Sequence, residues 1–288
     1  MHSRSRIFWI VAIALVAVAG ALLYPVTRAQ LGHWASGIAP ESVQHHVHTL
    51  TGPQPEAWVR RIEFPEGELT SRHMESLVSE PTATSAHFSA RVDFLPPGRV
   101  SLRPHKHVAD ELIIPLEGEL EVLLTDSHGP WKERIGPGKF VFNAANQPHG
   151  LSSSSDERAS YLVFKWEGRN PKPFEAEVRS DVLNFGKAHR HHLKDPPERF
   201  EADTIFEGPT RHLGKLHSHA STLMPGAGYD PQEDDMDIAM VLVRGKVETL
   251  GEQVEAPAMF FYPAGRPHGL RNVGDEPAQY IVFEFHGR

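Results

Sequence analysis

In the segment RPHKHVADELIIPLEG, Arg103 to Gly118, two histidines stand one residue apart and a glutamate follows four residues after the second. The surrounding apolar residues read as β-strand, so the side chains of His105 and His107 point to one face and can close on a common object. Imidazole nitrogens beside a carboxylate are transition-metal donors, and a bound metal is the object this pattern suggests. Asp110 is an adjacent carboxylate, but it has the opposite strand parity to Glu111 and is expected to face outward.

The elements that must position these groups are read from the rest of the chain. There is no cysteine, so disulfides and thiolate chemistry are excluded and any metal must be held by nitrogen and oxygen. Beyond Leu31, short apolar runs are punctuated by Pro and Gly, which predicts an all-β protein with many turns. At 288 residues and 40% hydrophobic content the chain can bury one large core or two small ones. A net charge of −8 with no long basic run argues against nucleic acid or an anionic membrane surface as partner and favours a small molecule.

The chain also repeats itself. QPHGL (Gln147 to Leu151) is followed by YLVFKWEG from Tyr161, and RPHGL (Arg266 to Leu270) by YIVFEFHG from Tyr280; His149 to Tyr161 and His268 to Tyr280 are the same interval. Upstream, LPPG at Leu95 answers LMPG at Leu223, and LEGELEVL from Leu116 answers VRGKVETL from Val243. Such self-similarity predicts two β domains in succession.

Together these residues resemble the cupin superfamily. Its first motif is met by Gly98, His105, His107, Glu111 and Gly118, with one extra residue after Gly98. Its second motif is met in part by Gly138 and His149, with Ala144 and Asn146 where proline and glycine are expected and Ser153 where asparagine is. In the second repeat Pro263, Gly265, His268 and Asn272 fit that motif, with Pro257 replacing the leading glycine. The resemblance implies two tandem double-stranded β-helix (jelly-roll) barrels, and it implies that His105, His107, Glu111 and His149 bind one divalent transition metal ion. Three neutral imidazoles and a carboxylate would leave one or two coordination positions open, as a catalytic metal requires. Iron and manganese lead by analogy with the family; zinc, nickel, copper and cobalt also suit these donors.

In the second repeat, counting back from Gly245 sets Gln232 and Asp234 where the two histidines stood and Ile238 where the glutamate stood. Gln232, Asp234 and His268 form a possible second site, which Asp237 would join if its strand bulged. His217 and His219 share one face of the preceding strand. The second barrel reads as a structural or ligand-binding partner without a tight metal.

Substrate contacts must come from other inward positions of the first barrel. Arg91, Phe140, Phe142, Asn143, Tyr161 and Lys165 are the expected ones, with Tyr161 and Lys165 the candidates for a catalytic general base. A cation inside would favour a carboxylate substrate through charge-assisted hydrogen bonds.

Arg4 and Arg6 precede an uncharged apolar run from Ile7 to Thr27, read as an apolar N-terminal helix serving as signal peptide or membrane anchor over residues 1–29. Either way the remainder is exported, to the periplasm or to the outer face of the cytoplasmic membrane, and the membrane is touched only by this segment. An extension over 30–80, a first cupin domain over 81–169, a linker over 170–205 and a second cupin domain over 206–288 complete the expected organisation. Homo-oligomers are common in the resembled family. The expected function is a metal-dependent enzyme of dioxygenase, decarboxylase or isomerase/lyase type acting on a small oxygen-rich molecule, the alternative being a non-catalytic small-molecule or metal-binding protein.

Overall fold

A computed structural model of the chain describes residues 55–98, 100–126, 129–153, 156–171, 179–187 and 199–288. The apolar run Ile7–Thr27 and the histidine-rich stretches His45–His48 and His189–His192 lie outside the described residues.

The described chain is built from strands: β1 (Trp58–Arg61), β2 (His73–Glu80), β3 (Ser85–Leu95), β4 (Val100–His105), β5 (Asp110–Glu117), β6 (Leu120–Asp126), β7 (Gly129–Ile135), β8 (Lys139–Asn143), β9 (His149–Ser153), β10 (Ala159–Gly168), β11 (Asp181–Asn184), β12 (Phe200–Gly208), β13 (Lys215–Leu223), β14 (Gly228–Gln232), β15 (Asp237–Arg244), β16 (Lys246–Thr249), β17 (Glu252–Glu255), β18 (Ala258–Tyr262), β19 (His268–Asn272) and β20 (Ala278–His286). They form two jelly-roll barrels. The first closes the sheet β11-β8-β5-β10-β3-β2 over β4-β9-β6-β7, and the second closes β1-β18-β15-β20-β13-β12 over β14-β19-β16-β17. Strand β1 thus adds to the second barrel and β2 to the first, while β11, inside the Pro- and His-rich segment between the repeats, edges the first barrel along β8.

Strand alternation divides the central strands of the two six-stranded sheets between two environments. On β10 the odd-numbered Tyr161 and Val163 join Ile113, Val122, Val141 and Leu151 in the first barrel's interior, while the even-numbered Leu162, Phe164 and Trp166 face the other barrel. The second barrel does the same with opposite parity: Tyr280 and Val282 point in, and Ile281, Phe283 and Phe285 point toward the first barrel. The outward faces meet in one shared aromatic core. Phe88 stacks on Phe261 at 4.8 Å between centroids and meets Phe285 edge-on at 5.2 Å, and Phe140 meets Phe283 edge-on at 5.2 Å. Phe140 and Phe142, expected in the first barrel's cavity, belong to this shared core. They differ in parity from Val141 and Asn143, which are the inward residues of β8.

The outward position of Asp110 is likewise not a wet one. Asp110 is fully buried, because the outside of its strand is covered by the segment leading into the second barrel. It accepts hydrogen bonds from Ala145 N at 2.9 Å and His212 N at 3.3 Å, and the Thr210 hydroxyl also bonds it. Asp237 is its counterpart in the repeat. It accepts from Ala264 N at 3.0 Å and from the hydroxyls of Thr82 and Thr84 on the segment leading into the first barrel. Each barrel therefore grips a buried aspartate of the other through a Pro-Thr segment, Pro81-Thr82 or Pro209-Thr210.

A shared core predicts that the barrels unfold together. Phe88→Ala should cost about 3–5 kcal/mol through loss of contact and cavity formation. Denaturant unfolding followed by intrinsic fluorescence and by circular dichroism should show one coincident transition moved to lower denaturant. Two transitions, only one of them moved, would refute the shared core.

Candidate metal centre

The first-barrel histidines and glutamate reach one place from three strands and from the loop after β4, which carries His107 where a continuing strand was expected. His105 ends β4 and is paired in register with His149 at the start of β9, while Glu111 is the second residue of β5. The ring centroids of His105, His107 and His149 lie 4.6–5.6 Å apart, and one ligand nitrogen from each falls within 4.8 Å of the others. Glu111 and His149 are buried, while His107 keeps 20% of its side chain exposed, so the cluster opens toward solvent on its His105–His107 side.

Each imidazole is oriented by its other nitrogen. Nδ1 of His105 lies 2.9 Å from Arg103 O, Nδ1 of His107 2.9 Å from Ala109 O, and Nδ1 of His149 2.9 Å from Gln147 O. A carbonyl only accepts, so Nδ1 carries the hydrogen and the neutral ring presents a bare Nε2 lone pair. The Nε2 atoms of His107 and His149 are buried with no hydrogen-bond partner, facing Glu111 carboxylate oxygens at 3.5 and 3.3 Å. Lone pair facing lone pair is repulsive, and a cation placed among them turns the arrangement attractive. The donor set fits a divalent transition metal on this ground.

Register also explains the neighbours of Glu111. It is paired with Asn143 on β8 and with Lys165 on β10. Asn143 Nδ2 donates to Glu111 Oε1 at 2.9 Å, and Lys165 Nζ lies 3.0 Å from Oε2. Burial pushes the Glu111 carboxyl up, but the imidazoles of His107 and His149 drawn up against it and the charge of Lys165 outweigh that and hold the group well below the usual carboxylate range. Burial lowers His105, which favours the neutral, metal-ready ring. Asn143, expected as a substrate contact, is instead the residue that steadies Glu111. Tyr161 is fully buried in the apolar interior, and Arg91 is tied with Arg72 to the buried Asp93.

The departures from the second motif have local compensations. Asn146 adopts φ of 63°, matching Gly265 at 72°; asparagine is among the few residues that accept this left-handed conformation. Asn146 N donates to His107 O at 2.7 Å, tying the two ligand loops together, as Gly265 N does to Asp234 O at 2.7 Å. Ala144, in the proline position, has an N–H, and Ser180 Oγ accepts it at 3.0 Å.

In the second barrel Gln232 is paired with His268 just as His105 is with His149. Asp234 Oδ2 lies 3.3 Å from His268 Nε2 and 3.5 Å from Gln232 Nε2, so the three possible second-site residues do meet. The Glu111 position is filled by Ile238, buried in the apolar interior. Asp237 cannot join them, because its carboxylate faces the first barrel's Thr82 and Thr84. A separate group, His217, His219 and Glu284, gathers on β13 and β20.

Asn143→Leu should weaken binding of a divalent ion at the first barrel by about 10–100-fold, since it removes the hydrogen bond that orients a ligand carboxylate. Competition titration against a chromophoric chelator measures this. An affinity unchanged within twofold would remove Asn143 from the site.

A cupin domain model matches residues 92–165, the stretch that carries all four converging side chains. A search of curated proteins finds no match to the chain. Among solved structures, a variant of the salicylate 1,2-dioxygenase of Pseudoaminobacter salicylatoxidans in complex with gentisate is similar with a TM-score of 0.60 at 13% identity, over 87% of this chain and 88% of that one. A variant of Bacillus subtilis oxalate decarboxylase is similar at 0.51 and 12% identity, over 78% and 80%, and AerE from Microcystis aeruginosa at 0.52 and 14%, over 80% and 97%. At these identities the likeness concerns the fold. The first barrel therefore carries a cupin domain over residues 92–165, and a second barrel of the same fold follows it.

Proposed function

We propose that the first barrel is the metal centre of an enzyme acting on a small, oxygen-rich organic acid. The observation that carries this reading is the convergence of three Nδ1-anchored imidazoles on the Glu111 carboxylate, at the mouth of an otherwise apolar barrel. His105, His107, His149 and Glu111 would hold a divalent iron or manganese ion, which supplies Lewis acidity or, with iron, a place for dioxygen activation.

The chain's own residues define the rest. Lys165 lies on the inward face of β10, 3.0 Å from Glu111 Oε2, with 23% of its side chain exposed. An ammonium so placed favours an anionic group beside the ligands and can give a proton to an oxygen there, so its role is to bind and donate rather than to act as a base. Tyr161 closes the floor with Ile113, Val122, Leu151 and Val163, and this apolar lining excludes water beneath the site. The structurally similar dioxygenase and decarboxylase, named for their action on salicylate and oxalate, suit a carboxylate substrate for this chain as well. Residues 1–29 would export the protein, so the substrate is met outside the cytoplasm.

The iron- or manganese-loaded chain from Gln30 onward should turn over at least one member of a panel of phenolic acids, dicarboxylates and sugar acids, followed by oxygen uptake, carbon dioxide release and product chromatography. His105→Ala with His107→Ala should abolish that turnover. Lys165→Met should lower kcat/KM by about 10- to 100-fold, the loss of one charge-assisted hydrogen bond. A loaded centre that binds such acids and converts none of them would replace this reading with that of a binding protein.

A further inference from the structure

The His-x-His pattern lost from the start of the second barrel's Gly226 to Gly245 segment reappears one strand earlier. On β13, His217 and His219 share the face that points into the second barrel, the face of the buried Leu223. Glu284 on β20 is paired directly with His217, and His219 is paired with Val282. In the first barrel the same register positions hold Ser89, Arg91 and Lys165, none of them among the converging ligands. This group is therefore not a remnant of the duplicated site but a donor set peculiar to the second barrel.

We propose that His217, His219 and Glu284 form a second divalent-metal site, displaced by neighbouring strands from the one in the first barrel. Their ligand atoms all lie within 4.8 Å of one another. Ligands bonded to a single ion at about 2.0–2.2 Å stand roughly 3–4 Å apart, so closure needs only about an ångström of side-chain movement. Two of the three are already oriented from behind. Glu207 Oε2 lies 2.8 Å from His217 Nδ1, a carboxylate–histidine pair that leaves Nε2 to bind, and His286 Nε2 lies 2.9 Å from Glu284 Oε2, leaving the other oxygen free to turn to an ion. His217 and Glu284 retain 17% and 22% of their side-chain exposure, so an ion has a path in. Two imidazoles and one carboxylate select zinc, cobalt, nickel or copper over magnesium or calcium.

The test uses the full chain carrying His105→Ala and His107→Ala, so that the first barrel is silent, loaded with cobalt(II) and desalted. Mass spectrometry should count about one cobalt per chain, with visible bands from nitrogen and oxygen ligation. Adding His219→Ala, or separately Glu284→Gln, should remove most of that cobalt while circular dichroism and the melting midpoint of the metal-free protein stay as they were. Adding His268→Ala should leave it in place. The proposal is overturned if the silenced chain retains no cobalt, or if its cobalt survives both β13–β20 variants, and an ion lost with His268→Ala instead would belong to Gln232, Asp234 and His268.

Discussion

Two adjacent carboxylates on β5 face opposite ways, and the site depends on that division. Asp110 is drawn to the outside of its barrel, where Ala145 N, His212 N and Thr210 bond it inside the contact between the two barrels. Glu111, one residue on, must then point into the barrel, between Asn143 and Lys165 on its neighbouring strands. The alternation of a strand converts a packing constraint on one side into ligand placement on the other. His212 adds to it by holding Val108 O with Nε2 at 2.6 Å, which steadies the loop between His107 and Glu111 from the second barrel's side. The second barrel is in this sense part of the first barrel's site.

The duplicated half shows which parts of that arrangement are structural. Asp237 keeps the outward grip of Asp110, with Thr82, Thr84 and Ala264 as its partners, and Gly265 keeps the tie that Asn146 makes. The inward carboxylate does not persist, and Ile238 packs there with Tyr262, Tyr280 and Val282. Burial drives the phenols of Tyr262 and Tyr280 upward, as expected of a dry interior that solvates charge poorly. The grip between the barrels has been retained where the ligands have not.

Much of this was legible in the sequence because it follows from counting. The spacing of His105, His107 and Glu111, the matching intervals to Tyr161 and Tyr280, and the substitution of Gln232, Asp234 and Ile238 rest on motif spacing and repetition, which need no coordinates, although His107 and Asp234 lie in loops and not on the strands that parity assumed. What escaped was everything decided by the far side of a sheet. Asp110 reads as solvent-facing, and Phe140 and Phe142 as cavity residues, unless it is known that a second barrel covers that side. Asn143 reads as an inward residue, but its engagement with Glu111 depends on the β5–β8 register, which no local pattern announces. The role of Ser180 as acceptor for Ala144 N is a contact across more than thirty residues, beyond any motif.

The central claim is that three imidazoles and one carboxylate of the first barrel share a cation. Anomalous diffraction from crystals of the metal-loaded protein, collected on both sides of the ion's absorption edge, addresses it most directly. The account predicts a peak at about 2.0–2.2 Å from Nε2 of His105, His107 and His149 and from a Glu111 oxygen. An ion found in the first barrel away from those four groups, or a fully loaded crystal with no peak among them, would contradict it.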